Sequence, residues 1–317
     1  AQRGRQRGNR PDRMSALRID PVAAGDAAAV ADLVAALEAS LHGHSAFSQA
    51  DLEREWSELG SDPDAWVVRD GGRIVGYALV RERGEPWRAE GYVHPGALGR
   101  GIGTLIATRL EAAAARGGAG RIQNAVIEAD TAARELLESL GYDAVRVVRE
   151  MRIELDVRPP APQWPGGLQP VPFDPERDAP AFHAALEDAF ADAWGHVPRD
   201  LEAWSNEQLL SERFDPTLWG VVRAGDEIAG GTICLGDTYG GGWIHALFTR
   251  RPWRRQGVGA ALLQDAFVRF WEREERSIGL GVDAASSSGA FRLYERAGMA
   301  PELGWVAYEK DLGPGRR

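Results

Sequence analysis

The chain has almost no cysteine. Cys234 stands alone among 317 residues, so no intrachain disulfide can hold the fold. It sits in the apolar run TICL and reads as a buried structural thiol rather than a nucleophile. A reducing, cytoplasmic location is the expectation that follows. Long apolar runs are missing too. None approaches the roughly 18 residues that span a bilayer, so no membrane partner is expected. Residues 1–13 carry Arg3, Arg5, Arg7, Arg10 and Arg13, but no apolar segment follows them. They read as a flexible, solvated Arg-rich tail rather than a secretory signal, with Met14 as the natural start. A basic surplus is also absent. The net charge is −10 and the pI about 5.2, which lacks the electropositive footprint of a nucleic-acid binder. No metal is expected either. A negative field mildly favours cationic substrates such as amines.

Apolar residues make up 44% of the chain, enough for ordinary packed cores. The length favours two domains, and an internal repeat supplies them. GRGIGTLIATRLEAA (Gly99–Ala113) echoes RQGVGAALLQDAFVRF (Arg255–Phe270). ARELLESLGY (Ala133–Tyr142) echoes FRLYERAGM (Phe291–Met299). Gly101 and Gly257 are 156 residues apart, and Gly141 and Gly298 are 157 apart. Two landmarks that share nearly one offset, in one order, indicate one unit written twice.

Each copy reads as a short strand, two helices, a hairpin, a strand, a helix, a strand, a helix and a last strand. The hairpin signals are Gly71-Gly72 and Gly225-Asp226. The last strands are AVRVVREMRIEL in copy one and GWVAYEKDL in copy two. RPPAPQWPGG (Arg158–Gly167) has four prolines in ten residues, so it reads as a linker without regular structure. The expected organisation is a tail, 1–13; a first domain, 14–156; a linker, 157–167; and a second domain, 168–313. The fold class is α/β, with a mixed α+β sheet in each domain.

The strongest local signal runs from Thr249 to Ala260, between a strand and an amphipathic helix. The first N–H groups of a helix lack internal partners, and the helix dipole favours negative charge there. Gly257 and Gly259 let a backbone approach a pyrophosphate closely. Arg254 and Arg255 can add charge-assisted contacts. A dinucleotide fingerprint would follow the first strand of a βαβ unit. Here a hairpin precedes the loop, which disfavours that fold.

Arg254-Arg255-Gln256-Gly257-Val258-Gly259 resembles the Q/R-x-x-G-x-G/A motif of the GNAT superfamily of N-acyltransferases. LYERAGM, ending at Met299, resembles its A-x-x-L-Y-E-x-x-G-F helix. The resemblance covers nearly the whole chain, once per half, as in mycothiol synthase and related tandem GNAT proteins. It implies two tandem acyl-CoA N-acyltransferase domains with acetyl-CoA as co-substrate. The pyrophosphate would lie on Arg255, Gln256, Gly257, Val258, Gly259 and Ala260. The strand Leu247, Phe248, Thr249 would splay from its neighbour, so that its amides hold the thioester carbonyl and the pantetheine arm. Ser286 takes the place of a familiar Asn near the pantetheine.

The resemblance further implies that Tyr294 is the acid that donates to the CoA sulfur. Copy one has Leu137 there, and Leu98 in place of the leading Arg. Its loop, Gly99, Arg100, Gly101, Ile102, Gly103 and Thr104 with Val93 before it, keeps the glycines. Acetyl-CoA binding in copy one stays open, and turnover belongs to copy two. His245, four residues before Thr249, is the candidate general base; Asp237, Glu187 and an ordered water are alternatives. Trp194 and His196 are candidate acceptor contacts, with Trp204 a weaker one. The expected activity is acetyl transfer to a primary amine of a small molecule, by direct attack in a ternary complex. An acetyl-CoA-binding sensor or scaffold without turnover is the rival.

Overall fold

The computed structural model describes residues 17–43, 45, 47–57, 64–82, 84–238, 240–285 and 289–313. The Arg-rich tail and Ser286 lie outside them. The first half of the chain forms β1 (Leu17–Pro21), α1 (Ala27–His42), α2 (Gln49–Ser57), β2 (Asp64–Asp70), β3 (Arg73–Arg81), β4 (Trp87–Val93), α3 (Ile102–Gly117), β5 (Arg121–Ile127), α4 (Thr131–Ser139) and β6 (Asp143–Glu154). The second forms β7 (Gln169–Pro172), α5 (Pro175–Phe190), α6 (Leu201–Gln208), β8 (Gly220–Ala224), β9 (Glu227–Thr238), β10 (Gly241–Thr249), α7 (Val258–Glu272), β11 (Ser277–Asp283), α8 (Ala290–Arg296) and β12 (Ala300–Asp311). The element order repeats, and the sheets are mixed.

Local chemistry sets the helix starts. Asp174 caps α5 by accepting from the backbone of Glu176 and Arg177, with Pro175 at the first helical position. Asp130 and Asp200 cap α4 and α6 in the same way. Both hairpins form where the glycines stand, closing at Asp70↔Arg73 and Ala224↔Glu227.

The chain divides into two compact units that do not follow the order of the repeats. Unit 1 runs to Ala144 and adds the residues from Ala307 onward; unit 2 is Val145–Val306. In unit 1 the sheet order is β1-β2-β3-β4-β5, then the end of β12. Val30, Leu33, Val34 and Leu52 of α1 and α2 bury one face against Val67, Tyr77 and Leu79. On the other face α3 brings Ile106 against Gly76 and Gly91. In unit 2 the order is β6-β11-β10-β9-β8-β7. There α5 lays Phe182 against Gly231, and α7 lays Phe270 against Gly242.

The expected boundary at residue 156 therefore differs from the boundary in space. β6 reads in sequence as the closing strand of the first domain. It pairs with β11 of unit 2, from Val148↔Asp283 to Glu154↔Ser277. Met151 is fully buried, opposite Leu280, in the unit 2 core that also holds Phe182 and Trp219. Conversely, the end of β12 joins unit 1. The Leu312 amide donates to Gly120, Gln123 donates to Glu309 at 2.7 Å, and Tyr308 donates to Glu138 at 2.8 Å. The physical reason is that a period of two fixes which face of a strand is buried, not which open edge it joins. Specific contacts decide the edge, among them Arg152 with Glu302 at 2.7 Å.

The proline-rich segment has no regular structure, yet it is not loose. Trp164 packs on Val222, Ala229, Val258 and Leu262. The linker is thereby held along the start of α7.

Replacing Met151 with Ala should cost about 2–5 kcal/mol, the usual range for a buried methionine. Amide hydrogen exchange should accelerate in β11 and stay unchanged in β2 and β3. Acceleration in β5 instead would contradict the place of β6 in unit 2.

Candidate functional site

The site begins where two parallel strands part. β10 pairs with β11 only over Gly242–Ile244 against Ile278–Leu280. On its other side β10 stays paired with β9 as far as Thr249↔Gly230. Leu247, Phe248 and Thr249 therefore have a strand neighbour on one edge alone. The edge toward β11 can serve an extended ligand, as any unpaired strand edge can. The register of β9 and β10 shifts between Ile244 and Ala246, which makes His245 the extra residue of a β-bulge. Bulges bend a strand and raise its twist. The bend falls where the parting starts. Unit 1 has the same opening: β4 and β5 pair only over Trp87–Ala89 and Ile122–Asn124, while β4 runs on to Val93.

The glycine loop lies just beyond Thr249. Gly257 is the N-cap of α7 with φ 91°, a backbone open to glycine at low cost. Arg255 holds φ 63°, a left-handed conformation that strains a side-chain residue and tends to mark functional loops. Val258, Gly259 and Ala260 lead the helix, so their N–H groups have no carbonyl one turn back within it. Gly259 has a reason of its own. A Cβ there would stand 3.3 Å from Leu293 of α8, and one at Gly103 would stand 2.8 Å from Leu136 of α4. The last glycine of each loop thus lets two helices touch.

The arginines divide their tasks. Arg254 donates through Nε to the Thr249 carbonyl at 3.0 Å and through Nη2 to the Ala189 carbonyl at 2.8 Å. Its guanidinium is a clasp between β10 and the end of α5. Arg250 pairs with Asp188 and Glu227, each at 3.0 Å, and Arg251 pairs with Asp192. Sequence reasoning missed these two clasps, because paired and ligand-binding arginines look alike in a basic run. Gln256 donates to the Pro252 carbonyl at 2.8 Å and braces the loop. Arg255 lies close to Gly289 at the start of α8. In unit 1 Leu98 is 52% exposed, and Arg100 is paired with Asp70 at 2.8 Å.

Tyr294 lies on α8, buried, and burial alone pushes its phenol up to about 12. Leu137, also buried, holds the matching place on α4. His245 is exposed on the bulge. Asp237 sits beside the β9–β10 turn, with its amide bonded to Glu275, at the opposite end of β10 from Thr249. That position removes it as a base for chemistry at Thr249. Glu187 accepts a hydrogen bond from His196 Nε2 at 2.8 Å, and His196 stacks on Phe190. Trp204 is 3% exposed and packs among Phe182, His183 and Trp219, so it belongs to the core rather than to an acceptor surface. Trp194 is 37% exposed and meets the Arg146 guanidinium at 5.5 Å. Cys234 is fully buried, and burial pushes its thiol up to about 12, which leaves no nucleophile.

Rings and paired charges also pack beside the opening of unit 1. Trp56 donates to the Tyr77 hydroxyl at 2.9 Å, and Tyr77 stacks on Tyr92. Arg81 pairs with Glu55 at 2.8 Å and also with Glu90. Among the described residues, no group of three or more His, Cys, Asp or Glu is arranged to hold a metal. No helix among them is long and apolar enough to cross a membrane.

Comparison with known proteins agrees with this geometry. The family model "Acetyltransferase (GNAT) family" matches residues 31–142 and again 179–299. A mycothiol acetyltransferase of Streptomyces coelicolor is 32% identical over 267 residues, 78% of this chain and 77% of that protein. One from a Parafrankia species is 29% identical over 90% of this chain and 95% of its own length. Among solved structures, a GCN5-related N-acetyltransferase from Sphaerobacter thermophilus superposes with a TM-score of 0.84 at 33% identity, covering 95% of this chain and 97% of the other. A tandem GNAT protein from the clavulanic acid biosynthesis pathway shares the fold, with a TM-score of 0.74 at 18% identity over 95% of this chain and all of its own.

Replacing Arg254 with Ala should lower stability by about 1–2 kcal/mol, because two charge-assisted bonds to carbonyls are lost. The same change at Arg255 should stay within about 0.5 kcal/mol. Denaturant unfolding of both variants measures this; equal stability of the two would remove the clasp.

Proposed function

We propose, from the premise that this chain belongs to the GNAT acetyltransferase family, that unit 2 is its catalyst. It would move an acetyl group from acetyl-CoA to a primary amine of a small molecule. One observation carries this reading: the opening between β10 and β11 and a buried phenol on α8 occur together in unit 2 only. Unit 1 has the opening but carries Leu137 where Tyr294 stands.

The roles follow from the geometry. The leading amides of α7, with Arg255, would take the pyrophosphate, since a helix N-terminus favours anions. The free edge of Leu247–Thr249 would bond the pantetheine arm and bring a backbone N–H to the thioester oxygen. One such oxyanion donor is typically worth about 2.7–4 kcal/mol. The amine attacks the carbonyl carbon directly, the C–S bond breaks, and the proton lost from nitrogen ends on sulfur. Positioning of this kind is worth up to roughly 7–11 kcal/mol in the best cases. His245, exposed on the bulge, would accept the proton from the amine.

The character of Tyr294 limits its part. A phenol near 12 is a weaker acid than a thiol near 8.5, so full transfer from tyrosine to sulfur runs uphill. Tyr294 would hold a hydrogen bond to the departing sulfur and relay a proton rather than give up its own. The names of the curated relatives make a mycothiol-type acceptor one candidate. Unit 1, with Leu137 in place of the phenol, would bind acetyl-CoA without turnover or serve as scaffold.

Thiol release over a panel of amines tests the reading. Tyr294→Phe should lower kcat by about a hundred-fold, within the usual range for proton-transfer help, and leave acetyl-CoA affinity unchanged. Because burial raises the phenol, no alkaline loss of kcat from Tyr294 should appear below about pH 11. Tight acetyl-CoA binding with no thiol release from any amine would favour a sensor instead.

A further inference from the structure

The strand that unit 2 takes from the first repeat brings a charge with it. Arg146 lies on β6, two residues before Val148, whose partner across the ladder is Asp283. Asp283 ends β11, three residues past the last β10–β11 pair at Leu280. Arg146 therefore stands beside the end of β11, the strand that borders the opening. Opposite it, Arg250, Arg251 and Arg254 clasp the end of α5 to the loop. The segment after α5 carries Trp194, and its indole meets Arg146 at 5.5 Å.

The guanidinium is incompletely satisfied. Its Nε is buried and has no hydrogen-bond partner. Asp283 lies 3.8 Å from that nitrogen, a Coulomb contact that is too long for a hydrogen bond. The near Asp283 oxygen is Oδ2, while Oδ1 accepts from the Ala285 amide at 2.9 Å. The buried Nε faces Asp283, while the side chain as a whole is 32% exposed, so a ligand carboxylate can reach the outer part of the planar guanidinium. A bare carboxylate would also meet the negative charge of Asp283. A ligand with a carboxylate and an ammonium a short distance apart suits both groups at once. Trp194 offers the flat, half-exposed wall against which its body can lie.

We propose that Arg146 is a specificity-determining residue of the acceptor site and that the acceptor is an amino acid. Its carboxylate binds Arg146, and its ammonium is drawn beside Asp283 before it loses a proton and attacks. This rests on unit 2 being the acetyltransferase and names the acceptor class of that same site. It also gives the exchanged strand a purpose: the first repeat supplies a substrate contact to the catalyst encoded mainly by the second.

The test uses the full chain, acetyl-CoA, and the twenty protein amino acids, each beside its own carboxamide. At least one amino acid should be acetylated with a kcat/KM about ten-fold or more above its carboxamide. Arg146→Met should erase that preference by raising the KM of the acid well above that of its carboxamide, with the KM for acetyl-CoA unchanged. Arg146→Lys, which keeps the charge without the fork, should recover part of it. Carboxamides used as well as acids, or an Arg146→Met variant that loses both equally, would overturn the inference and leave acetyl transfer standing. Turnover of carboxylate-free amines with no acid used would overturn it too. Thiol release from no amine at all would overturn the acetyl-transfer reading, and this inference with it.

Discussion

The parting of β10 from β11 after Ile244↔Leu280 is the constraint on which the rest of the site depends. A parallel pair that continued to Thr249 would spend the amides of Leu247–Thr249 on the neighbouring strand. The bulge at His245 bends β10 away while β9 keeps hold of it. The opening is therefore built into the sheet and does not need a ligand to form it. Everything that has to meet there converges on this gap. The glycine loop follows β10 directly, α8 packs through Leu293 onto Gly259, and the end of α5 is tied to the loop by three arginines.

The same constraint, repeated in unit 1, leads elsewhere. The strands part and the helix start survives, yet Leu137 and Leu98 replace the phenol and the clasping arginine. Stacked rings and paired charges occupy the adjoining face. Duplication preserved the backbone geometry, which packing enforces. It did not preserve these two side chains. The exchange of closing strands then makes each repeat necessary to a unit whose other elements come largely from its counterpart.

Much of this was legible in the sequence. The doubled element order, the hairpins at Gly71-Gly72 and Gly225-Asp226, and the loop at Gly257 all carry local chemistry, and local chemistry is what a sequence displays. The exchange of β6 and β12 was not legible, because alternation in AVRVVREMRIEL specifies a buried face and leaves the edge open. The clasp made by Arg254 was not legible for a similar reason: the Ala189 carbonyl 2.8 Å away is 65 positions distant in the chain. Arg146 was invisible as a site residue, since in sequence it belongs to the wrong half. Asp237 and Trp204 were misplaced because neither the end of a strand nor the depth of a ring can be judged from neighbours alone.

The central claim is that acetyl-CoA is held by the open edge of β10 and the start of α7. Amide hydrogen exchange with and without acetyl-CoA measures this directly. The account predicts new protection at Leu247–Thr249 and Val258–Ala260. Protection confined to Val93 and Ile102–Thr104 of unit 1 would contradict it.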